Sequence, residues 1–209
     1  MNIINDIISK DKWSIKCPYT MVPEFIVVHN TANDASAKNE VAYMKSNSNS
    51  TSYHFAIDDI EVRQAIPLYR NAWHAGDGSV GNGNRFGIGI EICYSKSGGE
   101  RFNKAENNAA QFIAKLLKEY GWGIEHVKKH QDFSGKYCPH RTLDLGWDRF
   151  IEKVKWYMRE ELTTINDIVW ELSARGIISD KELWLKKLEE DENSYWLARK
   201  CVNYIKIKD

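Results

Sequence analysis

The sequence is poor in cysteine, balanced in charge and free of long apolar runs, and each shortage removes a class of protein. Four cysteines in 209 residues (Cys17, Cys93, Cys138 and Cys201) stand far apart. That spacing argues against the disulfide framework of small secreted domains and leaves reduced thiols available as metal ligands. Twenty-nine Lys and Arg side chains offset twenty-nine Asp and Glu. With no block of roughly five like charges, the electrostatic footprint of a nucleic-acid binder is missing, and nucleic acid is not an expected partner. No apolar stretch approaches the roughly 20 residues that cross a bilayer, so membrane insertion is not expected either. Met1 to Lys12 carry acidic and polar groups at short intervals. They lack the continuous apolar segment of a secretion signal, which implies synthesis in the cytoplasm.

What is present is 43% apolar and 12% aromatic residues, enough for one sizeable core and a small second one. Phe25 to Val28 is a short β-branched run that reads as a buried strand ending at His29. Ala37 to Lys45 reads as a helix, and the Asn/Ser-rich stretch Ser46 to Ser52 as a loop into a strand over Tyr53 to Ile57. Asp58-Asp59 is a turn, with Glu61 to Ile66 as the returning hairpin partner. Gly87 to Cys93 alternates with period two, which places Glu91 and Cys93 on one face. Ala75 to Asn84, with Gly76, Gly78, Gly81 and Gly83, fits no phosphate-loop spacing and reads as a mobile wall of a site. Lys104 to Tyr120 has helical apolar spacing stopped by Gly121, and Trp147 to Arg159 repeats the pattern.

Near Leu162 strand patterns give way to three short helical ones, which divides the chain into residues 1–160 and a helical module, 161–209. Ile165, Ile168, Val169 and Leu172 stripe the first helix, Ser179 and Glu182 form a capping box for the second, and Asn193 can cap the third. Trp170, Trp184 and Trp196 at this spacing read as core, with stacking on sugars the alternative. About 45 residues is small for a self-sufficient core. The module is therefore expected to lean on the main domain, on a second copy of itself or on a ligand.

His130 and Cys138 lie eight residues apart across a stretch with Ser134-Gly135 and a following Pro139 that predicts a loop. Imidazole and thiolate are ligands zinc favours, and three protein ligands leave a fourth tetrahedral position open. His29, at the end of the first strand, is the best placed of the remaining histidines to complete the set. Spacing of this kind is weak alone. It stands, however, in an ordered series: Val27-Val28-His29-Asn30-Thr31-Ala32, Ser52-Tyr53-His54-Phe55, Ala72-Trp73-His74-Ala75-Gly76, Gly87-Ile88-Gly89-Ile90-Glu91, and His130 through Pro139. Together these motifs, over about Asp11 to Arg159, resemble the type-2 N-acetylmuramoyl-L-alanine amidases of phage endolysins and bacterial autolysins, whose fold is shared by peptidoglycan recognition proteins.

The resemblance implies an α/β fold, a mixed central β-sheet flanked by helices, to which this chain adds the small all-α module. It implies one Zn2+ per chain on His29, His130 and Cys138, and hydrolysis of the amide between N-acetylmuramic acid and L-alanine in peptidoglycan. It assigns proton transfer to Glu91, oxyanion stabilisation to Lys136 and an assisting role to Tyr53. Trp73 and His74, beside the glycine-rich stretch, are candidate substrate contacts, a hydrogen-bonded loop histidine being the alternative for His74. His54 reads as structural, Cys93 as a buried thiol, Cys17 and Cys201 as inert. His126 and His140 have no role, though His140 would replace a ligand were the loop misread. A muropeptide-binding protein without activity and a zinc peptidase acting within the stem peptide are the rival readings. Retention of Cys138, Glu91 and Lys136 disfavours the first, and absence of an HExxH helix bears against the second. A lysin without an export signal would reach the wall through a separate pore-forming, holin-type protein, and the C-terminal module would attach it there or pair two subunits as a homodimer.

Overall fold

The computed structural model describes residues 2–158 and 165–208, and the chain divides after Met158 into two compact units. The first is built on six strands: β1 (Asn2–Asn5), β2 (Phe25–Asn30), β3 (Phe55–Ile57), β4 (Glu61–Gln64), β5 (Gly87–Ile92) and β6 (Val127–Lys129). Their spatial order is β1-β4-β3-β5-β2-β6. Only β3 and β4 pair antiparallel; the other neighbours are parallel. Seven helices accompany the sheet: α1 (Trp13–Lys16), α2 (Ala37–Ser46), α3 (Asn82–Phe86), α4 (Gly99–Tyr120), α5 (Gln131–Ser134), α6 (His140–Asp144) and α7 (Trp147–Met158). This is the mixed sheet flanked by helices that the sequence leads one to expect.

Strand β2 is central and buried from Ile26 to Asn30, which is why it reads as a continuous apolar run rather than an alternating one. In β5 the alternation sorts two faces. Ile88, Ile90 and Ile92 enter the core, while Gly87, Gly89 and Glu91 form the other face. The β3–β4 hairpin turns where expected, because Asp58 Oδ1 accepts from the Ile60 and Glu61 amides, both at 2.8 Å. Helix α4 lays Phe112 against Phe55 with ring centroids 4.7 Å apart. It stops at Gly121, which adopts the left-handed conformation (φ 66°) that glycine takes without strain. Helix α7 is fastened to α4 through Glu106, a buried carboxylate 2.7 Å from Arg149 and 3.0 Å from Lys153.

Several expectations are corrected. Strands β1 and β6 and helix α6 were not foreseen, and α4 begins at Gly99 rather than Lys104. Ala75 to Asn84 is no loose wall. Asp77 accepts from the amides of Gly83 (2.6 Å) and Asn84 (3.2 Å), and residues 82–86 form α3.

The second unit contains α8 (Ile165–Ala174), α9 (Lys181–Glu190) and α10 (Glu192–Lys208) around its own cluster, which includes Ile168, Val169, Leu172, Leu188 and Val202. Asp180, not Ser179, caps α9 by accepting from the Leu183 amide at 3.0 Å. Asp191, not Asn193, accepts from the first turn of α10. Trp184 packs on this core, whereas Trp170 and Trp196 are 63% and 48% exposed, with Lys181 and Arg199 over their rings. The expected boundary at residues 160/161 and the helix end at Arg159 lie outside the described residues. Among the described residues no helix is long and apolar enough to cross a membrane.

Candidate metal and catalytic site

Three parallel strands end together at one edge of the sheet. His29 lies near the end of β2, Glu91 is its register partner on β5, and His130 directly follows β6. Carboxyl ends of parallel strands are where α/β sheets leave room for ligands, since the loops that follow diverge there. Cys138 is returned to the same place by a fold in its loop: α5 makes one turn, Gly135 reverses the chain, and the Cys138 carbonyl accepts from the Gln131 amide at 3.0 Å.

The ligand atoms of His29, His130 and Cys138 all lie within 4.8 Å of one another and all three residues are buried. His29 Nδ1 is 3.0 Å from His130 Nδ1 and 3.9 Å from Cys138 Sγ. Zinc bonds of about 2.05 Å to nitrogen and 2.3 Å to sulfur at the tetrahedral angle require roughly 3.3 and 3.6 Å between those atoms. The two pairs that His29 makes are therefore each within a few tenths of an ångström of zinc geometry, and the third pair lies within 4.8 Å.

Proton placement strengthens the fit. His74 Nε2 lies 3.2 Å from the Gly87 carbonyl, which can only accept, so Nε2 carries the proton of the neutral ring and Nδ1 is bare. His29 Nε2, 3.0 Å from that Nδ1, must then be the donor, which leaves His29 Nδ1 bare. His130 turns its own Nδ1 toward that bare nitrogen. A bare His29 Nδ1 with His130 Nδ1 at 3.0 Å and the Cys138 sulfur at 3.9 Å suits a cation in this buried site.

Burial sets the protonation states. It holds His29 well below the usual histidine range, brings His130 down to about 4 and His74 to about 3, so all three are neutral at physiological pH. It pushes the Cys138 thiol up to about 11, with the Glu91 charge adding to the effect. Glu91 is raised to about 8, first by burial and then by the nearby Glu40, with the Lys136 ammonium opposing. Its Oε2 is buried without a hydrogen-bond partner among the described residues. Such an oxygen is free for a proton, a water or a substrate.

The remaining sequence candidates are placed as follows. Lys136 is exposed, and its charge acts on His29, His130, Cys138 and Glu91. Tyr53 is buried near Glu40, Glu91 and Cys93, which together with burial raise its phenol; its hydroxyl makes no hydrogen bond of ordinary geometry. Trp73 is partly exposed, donates its indole N–H to the Ile15 carbonyl at 3.0 Å and has Tyr19 edge-on, so only its ring remains for a ligand. His74 differs from its expected role as a substrate contact: it is buried with both ring nitrogens engaged behind His29. His54 is also buried, accepting from the Gly89 amide and donating to the Arg70 carbonyl, each at 2.9 Å. His140 contacts the Ser95 carbonyl and His126 the Glu24 carbonyl, and neither joins the triad.

Glu40 and Asn84 were missed. Glu40 looked like one more helix-face carboxylate, and only packing buries it beside Asn33 and Tyr53. Asn84 Oδ1 accepts from the amides of His74 and Ala75, both at 2.8 Å. Its sequence signal is limited to its place in a glycine-rich stretch.

Comparison with known proteins agrees with this geometry. Residues 19–141 match the family described as N-acetylmuramoyl-L-alanine amidase. The chain is 58% identical over 162 residues to the N-acetylmuramoyl-L-alanine amidase CwlA of Bacillus subtilis (strain 168), covering 78% of this chain and 58% of that one. It is 61% identical over 145 residues to XlyB of the same organism, covering 69% and 46%. The chain thus spans about half the length of these relatives. The solved structure of PlyL superimposes with a TM-score of 0.72 at 54% identity, covering 74% of this chain and 97% of PlyL.

Proposed function

The chain belongs to the N-acetylmuramoyl-L-alanine amidase family, and from that premise we propose that it hydrolyses the amide between N-acetylmuramic acid and L-alanine in peptidoglycan, using one zinc ion held by His29, His130 and Cys138. The observation that carries the reading is the buried convergence of two imidazole nitrogens and a cysteine sulfur, next to a buried carboxylate oxygen without a hydrogen-bond partner among the described residues. A zinc ion at such a triad supplies Lewis acidity, activating water near neutral pH and polarising a carbonyl.

The chain's own residues supply the rest. Glu91 Oε2, on a carboxyl whose affinity for a proton is raised into the neutral range, takes a proton from the attacking water and returns it to the leaving amine. Lys136 brings a positive charge to where the oxyanion of the tetrahedral intermediate develops. Tyr53 lines the floor beside Glu91, and the Trp73 ring borders the substrate. Buried Lys16 donates to Asn47 Oδ1 (2.8 Å) and the Thr51 carbonyl (3.1 Å), which steadies the segment leading to Tyr53.

As an endolysin or autolysin, the enzyme would act on the wall after cytoplasmic synthesis and release, with residues 161–209 attaching it there or pairing two chains. Digestion of purified walls tests the activity. New amino termini of alanine with intact glycan are expected. Internal peptide termini would instead indicate a peptidase, and no release a binding protein. Wall binding and solution mass of a chain ending near Met158, against the full chain, separate attachment from pairing.

A further inference from the structure

We propose that His74 is a positioning residue for the metal site: it fixes the tautomer of His29 and so leaves the His29 Nδ1 bare for the metal. The inference rests on the zinc reading above, and it concerns a residue that touches neither metal nor substrate.

A ligating imidazole must offer a bare nitrogen, and which nitrogen is bare depends on what holds the other. Here the decision begins at the Gly87 carbonyl. It fixes the proton on His74 Nε2, 3.2 Å away. His74 Nδ1 must then accept, and it takes the Nε2 proton of His29 across 3.0 Å, with the two rings edge to face at 85°. His29 Nδ1 is left to face the site. That nitrogen lies 3.0 Å from His130 Nδ1 and 3.9 Å from the Cys138 sulfur.

The surroundings fit this task. Asn84 Oδ1 accepts from both the His74 and the Ala75 amides, so one side chain pins the backbone that carries the His74 ring. Gly89 on β5 makes room for the His74 ring: a Cβ there would lie 2.7 Å from His74 Cδ2, closer than carbon atoms approach. His54, with ring centroid 6.1 Å from that of His74, has both nitrogens satisfied by backbone and so does not compete for the His74 proton.

Two substitutions separate hydrogen bonding from packing. In His74→Asn the amide oxygen can take the place of Nδ1 as acceptor, at a loss of volume; His74→Leu keeps volume and has no acceptor. Zinc affinity is read by competition with a chromophoric chelator, and the visible spectrum of the cobalt-loaded protein reports ligand geometry. Leu is expected to weaken zinc binding about 10- to 100-fold and to alter the cobalt spectrum, with Asn closer to wild type. Leu equal to or better than Asn would overturn the proposal. Should either variant fail to fold, nitrogen NMR of the metal-free wild-type chain decides: protonated Nε2 on His29 is expected, and protonated Nδ1 overturns it. Zinc binding no stronger in wild type than in Cys138→Ser would defeat the zinc reading, and the NMR result would still judge the tautomer relay.

Discussion

His29 on β2 and Glu91 on β5 are register partners on neighbouring parallel strands, so an imidazole and a carboxylate share one face where the strands end. One residue of slip in either strand would send one of them into the core. The registry is held by the buried aliphatic residues Ile26, Val28, Ile88 and Ile90, so the core places the chemistry.

Glu91→Gln keeps the size of the side chain and removes its capacity to carry a proton. Turnover on purified wall should fall about 10²- to 10⁴-fold with zinc content unchanged. Zinc lost in step with activity would make Glu91 a structural group.

Lys136→Ala should lower turnover about 100-fold if its charge meets the oxyanion, while the melting temperature stays put because the side chain is exposed. An ordinary surface lysine contributes little, and a change of twofold or less would assign Lys136 to that class.

Zinc affinity should rise with pH. The Cys138 thiol, held up to about 11 by burial, must lose its proton to bind metal, whereas His29, held well below the usual histidine range, and His130, brought down to about 4, are already neutral at physiological pH. The expected slope is about one decade of affinity per pH unit between roughly pH 6 and 9, with about one proton released. Calorimetry of Glu91→Gln in buffers of different ionisation enthalpy measures this without a second titrating carboxyl. An affinity flat with pH would contradict a thiol ligand.

Glu106→Gln tests the clamp between α4 and α7. Burial raises the Glu106 carboxyl, but Arg149 and Lys153 outweigh it and leave the group below its usual 4.5. A depressed folded value means the contribution is present above the unfolded pKa and is lost as pH falls through the folded one. The variant should lose about 2–4 kcal/mol at pH 7, towards the low end because both cations are partly exposed. The gap from wild type should close as pH falls below the usual 4.5 and through the depressed folded value. Urea unfolding over a falling pH series checks this.

Much of the fold was legible because strong local patterns and tertiary burial agreed. The apolar run before His29, the Gly-Ile alternation to Glu91 and the striped helix ending at Gly121 each carry their own signal. Strands β1 and β6 carry almost none. Asn2–Asn5 and Val127–Lys129 are three or four residues long, and they are strands because a neighbour offers unpaired backbone groups. The capping residues of α9 and α10 were each misjudged by one or two positions, since several polar residues there can cap and geometry selects one.

The sequence alone determined the chemistry available: two histidines and a cysteine as ligands, Glu91 and Lys136 as charged partners, and ordered motifs that named a family. What the tertiary structure decided is the state of those groups. A histidine shows in its letter neither which nitrogen is bare nor whether it faces a ligand or another histidine, and the role of His74 changed for that reason. Tautomer, burial and proton affinity depend on partners distant in sequence, such as Gly87, Asn84 and Glu40, and only folding brings these within hydrogen-bonding or electrostatic range.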